Sequence, residues 1–433
     1  MGLADTSVGV EKSTPGLTKP LNRAAAALVL NGGLTSVLGI GYWLVAAHLY
    51  LPTVVGRNSA LVAALVTLSG FAQCNFARSL SGLLPRAGAR AARLLGRVYL
   101  ATVIISLLLG FTFCVVAPRL VARLGYLRGP ALLLPGFTIA VAIWSIFTLE
   151  DTALASLRSA RIVPIENATF GVLKIGLLVF LHSRGFGMFS ILASWIVPLV
   201  VIVPPVNWYL FKRALPRGRD FAAPPEPGPL AVRNWVAYDY AGYLFWLAGT
   251  LPLPLLVLPI LGSSAAAVFY VTFAMSTSMD VVSLNVGNAF TAELQRQGGV
   301  VGRDALAFLA KLWSLILFVA VVLGLAAPYV LQLFGARYRA QGHVVMVILL
   351  AAAVPRSVMF LGIAAARAQG RGRVILAAQM TASLGTLGLG VALMARIGLD
   401  GMAWAWFAAS AVGAALAVQV IARPFHRVTA VPA

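Results

Sequence analysis

The chain has 433 residues, of which 60% are hydrophobic and only 10% charged. Soluble domains carry about 25% charged residues, so this composition excludes a water-soluble globular protein. The formal net charge is +21, which in a soluble protein would suggest nucleic acid; here the basic residues fall mostly between apolar segments, where they set topology and attract anionic lipid headgroups.

Residues 1–23 are polar and loosely basic, lack a cleaved-signal pattern, and are predicted to be a cytoplasmic tail. Apolar segments near the ~20 residues that cross a bilayer core follow in succession. In the first half they lie at 24–50, 59–84, 98–117, 131–153, 163–181 and 186–211. Residues 51–58 are expected to be an outer turn. The stretch "KRALPRGRDFAAPPEPGPLAVRNW" (212–235) is rich in proline and charge and is predicted to be a flexible cytoplasmic linker. Six more spans are predicted at 236–261, 265–290, 305–327, 343–366, 374–395 and 402–421, before a second cytoplasmic tail at 422–433.

The expected fold is therefore an all-α polytopic membrane protein with twelve transmembrane helices in two six-helix lobes, 24–211 and 236–421. Each half starts and ends on the same side, so a duplication would relate the lobes by a pseudo-two-fold axis along the membrane normal. Gly187-Met188 at the start of span 6 and Gly401-Met402 at the start of span 12 fit that symmetry faintly. Most lysines and arginines lie on the side of the termini, among them Arg86, Arg90, Arg93 and Arg97 after span 2 and Arg367, Arg371 and Arg373 after span 10. The positive-inside rule then places both termini in the cytoplasm.

A charged side chain at mid-span costs about 2.5–3.5 kcal/mol, and it usually faces a cavity or a partner. Lys174 interrupts "FGVLKIGLLVF" in span 5 and shares a helical face with Asn167, Gly171 and Leu178. Arg356 follows Pro355 in span 10. An ion pair of Lys174 with Asp280 or Glu166, or capping by Arg356 of carbonyls freed by the proline, would explain them structurally. Span 8 carries Thr272, Ser276, Asp280, Ser283 and Gly287 at helical spacing, which suits helix packing or an ion site. Span 2 places Gln73, Asn75 and Arg78 in its inner half, and span 7 opens with Asp239 before Pro252, Pro254 and Pro259, which predict a bend. The glycine row of Gly385, Gly388 and Gly390 reads as packing. Glu150 and Asp151 lie at a helix end beside a basic turn, where ion pairing would account for them. Cys74 and Cys114 are expected to stay unpaired. The four histidines are scattered without metal-ligand spacing, and no Walker-type loop occurs. The expectation is a non-enzyme without cofactor or metal.

Three stretches resemble the polysaccharide flippase branch of the multidrug/oligosaccharidyl-lipid/polysaccharide exporter superfamily. "AAHLYLPTVVGRNSALVAALVTLSGFAQCNFARSLSGLLPRAG" (46–88) resembles that branch's first hairpin, "LQLFGARYRAQG" (331–342) its helix 9–10 turn, and "GLDGMAWAW" the start of its last helix. The resemblance implies translocation of a polyprenyl-diphosphate-linked oligosaccharide across the bacterial cytoplasmic membrane for cell-surface polysaccharide assembly, with glycosyltransferases as neighbours. Lys174 and Arg356, with Arg78 at the inner mouth, would then meet the diphosphate. Asp280 or Asp239 would bind a coupling H⁺ or Na⁺. The glycines of helix 1 and the prolines of helix 7 would let a side gate open for the lipid tail. The alternatives are a cation-coupled drug antiporter of the same superfamily, whose cavity should be acid-lined, and a membrane enzyme or scaffold of glycan assembly.

Overall fold

A computed structural model describes residues 18–422 except 75, 77–79, 81–82, 130–131, 158, 219–229 and 297–302. The first lobe contains α1 (Thr18–Leu49), α2 (Pro52–Ala72), α3 (Ala91–Leu120), α4 (Leu133–Ser156), α5 (Ile162–Ser183) and α6 (Ser190–Tyr209). The second contains α7 (Leu230–Thr250), α8 (Leu253–Leu261), α9 (Ser263–Arg296), α10 (Arg303–Phe334), α11 (Ala336–Ala368), α12 (Gly372–Ile397) and α13 (Leu399–Ala422). Twelve spans in these elements are long and apolar enough to cross a membrane, α7 and α8 together forming the seventh. The described residues contain no strand. This is the all-helical, two-lobe architecture expected from the hydropathy.

Local chemistry explains where the helices start and stop. Pro52 occupies the first turn of α2, where its missing N–H costs nothing. The expected outer turn at 51–58 is accordingly helix from Pro52 onward. In the seventh span Pro252 and Pro254 cannot donate to the helical ladder, so α7 ends at Thr250 and α8 begins at Leu253. The predicted bend is thus a break. The predicted linker is helical at both ends: a π-turn at Leu210–Ala214 and a short helix at Leu215–Gly218 prolong α6, and α7 starts at Leu230.

Leucines and phenylalanines on α3 and α10, such as Leu100, Phe111, Phe318 and Leu325, remain exposed and form the lipid-facing surface. Helix pairs meet through small residues, since apolar side chains gain nothing by leaving lipid for each other. A Cβ on Gly110 would lie 3.0 Å from Thr138 Cα, and one on Gly362 would lie 2.7 Å from Ala417 Cβ. The lobes touch chiefly where α2 runs along α8 and α9. Gly56 makes that approach feasible: a Cβ there would sit only 1.6 Å from the Ser263 carbonyl oxygen. Both residues lie at the end of the bundle that carries the α1–α2 turn, so the lobes are sealed at that end.

The span 8 stripe faces inward. Thr272, Ser276, Asp280 and Ser283 are buried where α9 packs on α11. Thr272 and Ser276 donate to carbonyls of their own helix, and Thr291 reaches the Ala364 carbonyl of α11 at 3.2 Å. In the glycine row, Gly385 and Gly390 pack against Ala409 and Met402 of α13, while Gly388 meets nothing within 4 Å. The two Gly-Met pairs differ in their surroundings. A Cβ on Gly401 would lie 2.4 Å from the Leu393 backbone, whereas Gly187 faces open space. Both cysteines are free.

Candidate functional site

Lys174 lies on the inward face of α5, at helical steps from Asn167 and Gly171. A Cβ on Gly171 would approach Leu38 Cδ1 to 2.6 Å, so glycine lets α1 lie close against α5. Lys174 is buried, and its Nζ faces three rings from three helices: Trp195 of α6 at 4.5 Å, Phe170 of α5 at 4.9 Å and Tyr42 of α1 at 5.0 Å to the ring centroids. Tyr42 is anchored to α6, its hydroxyl lying 2.7 Å from Ser194 Oγ. Trp144 of α4 packs on Trp195 and Phe170 and widens the aromatic wall.

No ion pair involves Lys174 among the described residues. The structural pairing with Asp280 or Glu166 is therefore not made. Each desolvated cation–π contact is worth up to about 2 kcal/mol. Three of them are of the size needed to offset the 2.5–3.5 kcal/mol, roughly, that a mid-span charge costs. The aromatic cage thus holds the Lys174 Nζ in place with rings rather than with a carboxylate.

The lysine opens onto a cavity of about 210 Å³ lined by α1, α4 and α5, with Thr35, Thr148, Asp151, Asn167 and Gly171 in its wall. Asn167 donates to Asp151 Oδ2 at 3.0 Å and braces the only carboxylate in that lining. A second cavity of about 290 Å³ lies between α1 and α9 and is lined by Thr35, Ser36, Gly39, Ser278 and apolar side chains. Thr35 belongs to both walls, so α1 is the partition between them. Its glycines are loosely packed: Gly33, Gly39 and Gly41 meet nothing within 4 Å, and Gly32 meets only Val281 at 3.8 Å. Trp43 lies 4.4 Å from the Tyr270 ring of α9, which carries the aromatic wall into the other lobe.

Arg356 and Asp280 find each other. The guanidinium donates through Nε at 3.1 and 2.9 Å to the two carboxylate oxygens and through Nη2 at 2.6 Å. It also lies 3.9 Å from the centroid of Trp406 on α13. The arginine's hydrogen bonds go to this carboxylate rather than to carbonyls freed by Pro355. Both charges are buried and mutually neutralised inside the second lobe. Asp239 pairs with Arg367 at 2.9 Å, tying the start of the seventh span to the end of α11. Arg78 and Asn75 lie outside the described residues, while Gln73 donates to Thr148 Oγ1 at 2.8 Å.

Glu150 and Asp151 depart from the sequence expectation. No described lysine or arginine pairs with them. α4 continues to Ser156, which carries both acids inside the helix and away from the basic turn. Glu150 is fully buried, accepts a hydrogen bond from Asn207 of α6, and lies beside Glu166 of α5. In the sequence Glu166 reads only as a partner for Lys174; an acid followed by Asn167 just inside the start of span 5 is the available signal.

No protein-family model matches the sequence, and no curated relative does. Solved structures do. A multidrug resistance MATE family transporter of the MOP superfamily in an inward-facing conformation aligns over 92% of this chain and 93% of its own, at 18% identity and a TM-score of 0.57. The MATE multidrug transporter DinF-BH, solved as a complex, aligns over 95% and 97%, at 15% identity and a TM-score of 0.61. A MOP superfamily transporter from Pyrococcus furiosus, described as having a binding pocket of reverse polarity, aligns over 94% and 97%, at 16% identity and a TM-score of 0.52. Twelve helices in two lobes, matched end to end by these structures, give the chain the fold of MATE transporters of the MOP superfamily.

Proposed function

We propose that this chain is an alternating-access membrane transporter that carries an amphipathic anion through the cavity beside Lys174. The carrying observation is the lysine itself: it is buried, held by three rings, without a carboxylate partner among the described residues, and set in the wall of a cavity. An anion leaving water must regain its hydration energy from fixed positive charge, because an unpaired buried anion costs several kcal/mol. A lysine supplies a flexible point charge that binds without a rigid bidentate clamp. The anionic group of a polyprenyl-diphosphate-linked glycan has the chemistry to meet it. The α1–α9 cavity, apolar with a few hydroxyls, suits the chain that must follow the headgroup. Arg356 would join the substrate only by exchanging its contact with Asp280, and Asp239 would bind a coupling ion only by exchanging its contact with Arg367. The bacterial cytoplasmic membrane is the corresponding location.

A second function has its own support. Asp151 lies in the same wall, the wall is aromatic, and the structural neighbours described as multidrug transporters share the fold. A cation-coupled antiporter of organic cations fits these facts at least as well as the flippase.

The purified chain reconstituted in liposomes separates the two. A fluorescent polyprenyl-diphosphate sugar should become accessible to a quencher from the opposite leaflet faster than in protein-free vesicles, and an organic cation dye should not be driven by an imposed pH or Na⁺ gradient. Gradient-driven dye movement without flipping would select the antiporter.

A further inference from the structure

The first lobe buries several hydrogen-bond acceptors that lack a donor, and they converge from three helices. Glu150 of α4 is 0% exposed and Glu166 of α5 is 3% exposed. Both oxygens of Glu166, Oε1 of Glu150 and Oδ1 of Asp151 lack a hydrogen-bond partner, as does the carbonyl oxygen of Asn207 on α6. The two glutamates are within hydrogen-bonding reach of each other. The facing groups are few. α3 contributes Tyr99, whose hydroxyl is also unpartnered; α4 contributes Asp151; α5 contributes Asn167, which donates to Asp151; α6 contributes Asn207, which donates to Glu150; and α2 contributes neutral Gln73. No lysine or arginine among the described residues pairs with any of the three acids.

Two carboxylates within hydrogen-bonding reach of each other in a buried site cannot both stay ionised, and no lysine or arginine among the described residues supplies the missing positive charge. No group of three metal-ligating side chains capable of holding an ion occurs among the described residues. We propose that Glu150 and Glu166 form a proton-binding dyad: one proton is shared between the two carboxyl oxygens, and Asp151 lies between this proton and the cavity of Lys174. Loading or releasing the proton changes the net charge one residue from the cavity wall, so by linkage it changes the cavity's preference for an ion by the same factor as that ion changes proton affinity. This coupling rests on the transporter function proposed above. Proton binding itself does not, and the test reads binding alone.

The purified full-length chain in lipid nanodiscs should be titrated by infrared difference spectroscopy from about pH 5 to about pH 9, at low and high Na⁺, a window suited to a proton shared by two coupled carboxyl groups. The wild type should show a protonated-carboxyl C=O band that titrates in this window and is indifferent to Na⁺. Glu166→Gln or Glu150→Gln should move its midpoint by about one pH unit or more, and the double variant should abolish it, while Asp151→Asn retains it. Circular dichroism and gel filtration check that the isosteric variants fold. A wild-type spectrum without such a band would overturn the dyad whatever the variants do. So would a band suppressed by Na⁺, which would make the site a metal-cation site, or one that survives in the double variant.

Discussion

Two buried cations in this molecule are stabilised in opposite ways. Arg356 is neutralised by a bidentate contact with Asp280 and stacked on Trp406. Lys174 has no ion-pair partner among the described residues and leans on three rings. Removing one partner of a buried pair leaves an uncompensated charge, at a cost of about 3–5 kcal/mol. Asp280→Asn should therefore lower the thermal unfolding temperature of the detergent-solubilised protein clearly. An apolar double replacement, Asp280→Leu with Arg356→Met, should recover most of the loss. If Asp280 is instead an ion-coupling site, Asp280→Asn would change the Na⁺ or pH dependence of transport and leave stability intact. Lys174→Gln should cost far less stability, since the rings remain packed on one another.

Among the elements, α2 and the α12–α13 hairpin depend most on single glycines. Gly401→Val would drive a side chain into the Leu393 backbone, which cannot step aside, and should lower thermal stability by several degrees. Gly56→Val meets the Ser263 carbonyl and should part the lobes at that end. In a background without Cys74 and Cys114, a cysteine at the fully buried Ala267 should then become reactive to a thiol reagent that leaves it untouched in the parent. An unreactive Ala267→Cys in both backgrounds would show that the seal is not set by Gly56. The spans themselves were legible in the sequence because twenty-residue apolar runs have few other uses. Helix starts and breaks were less so. The start at Pro52 was missed because "LPTVVGRNS" looks polar for a helix, yet its Asn58 is buried, donating to the Met188 carbonyl and accepting from Leu192 N–H. The site was half legible. Lys174 and Arg356 stand out as charges in apolar runs, but which carboxylate goes to which cation is a tertiary fact. The cage of Tyr42, Phe170 and Trp195 draws on three spans with no common spacing. Glu150 and Glu166 flank a basic turn in the sequence, and only the packing of α4 and α5 shows both acids buried with no described lysine or arginine paired to them.

At the scale of the whole molecule, two lobes are sealed along α2, α8 and α9 at one end, with the open glycines of α1 between two cavities. The distribution of arginine and lysine predicts that the termini face the cytoplasm. Single cysteines at Thr53 and Ala222 in a cysteine-free background should be labelled in intact cells at the first position only; the reverse would invert the orientation. Within this frame Lys174, without an ion-pair partner among the described residues, is proposed to carry an anion across the membrane. The most direct test of this role is the rate at which a fluorescent polyprenyl-diphosphate sugar crosses proteoliposomes holding equal amounts of wild type, Lys174→Arg, Lys174→Gln and Lys174→Glu. The predicted order is wild type, then a partly active arginine, with glutamine losing tenfold or more, about 1.4 kcal/mol of the barrier, and glutamate nearly inactive. Wild-type flipping by a folded Lys174→Gln would rule out that role for the lysine.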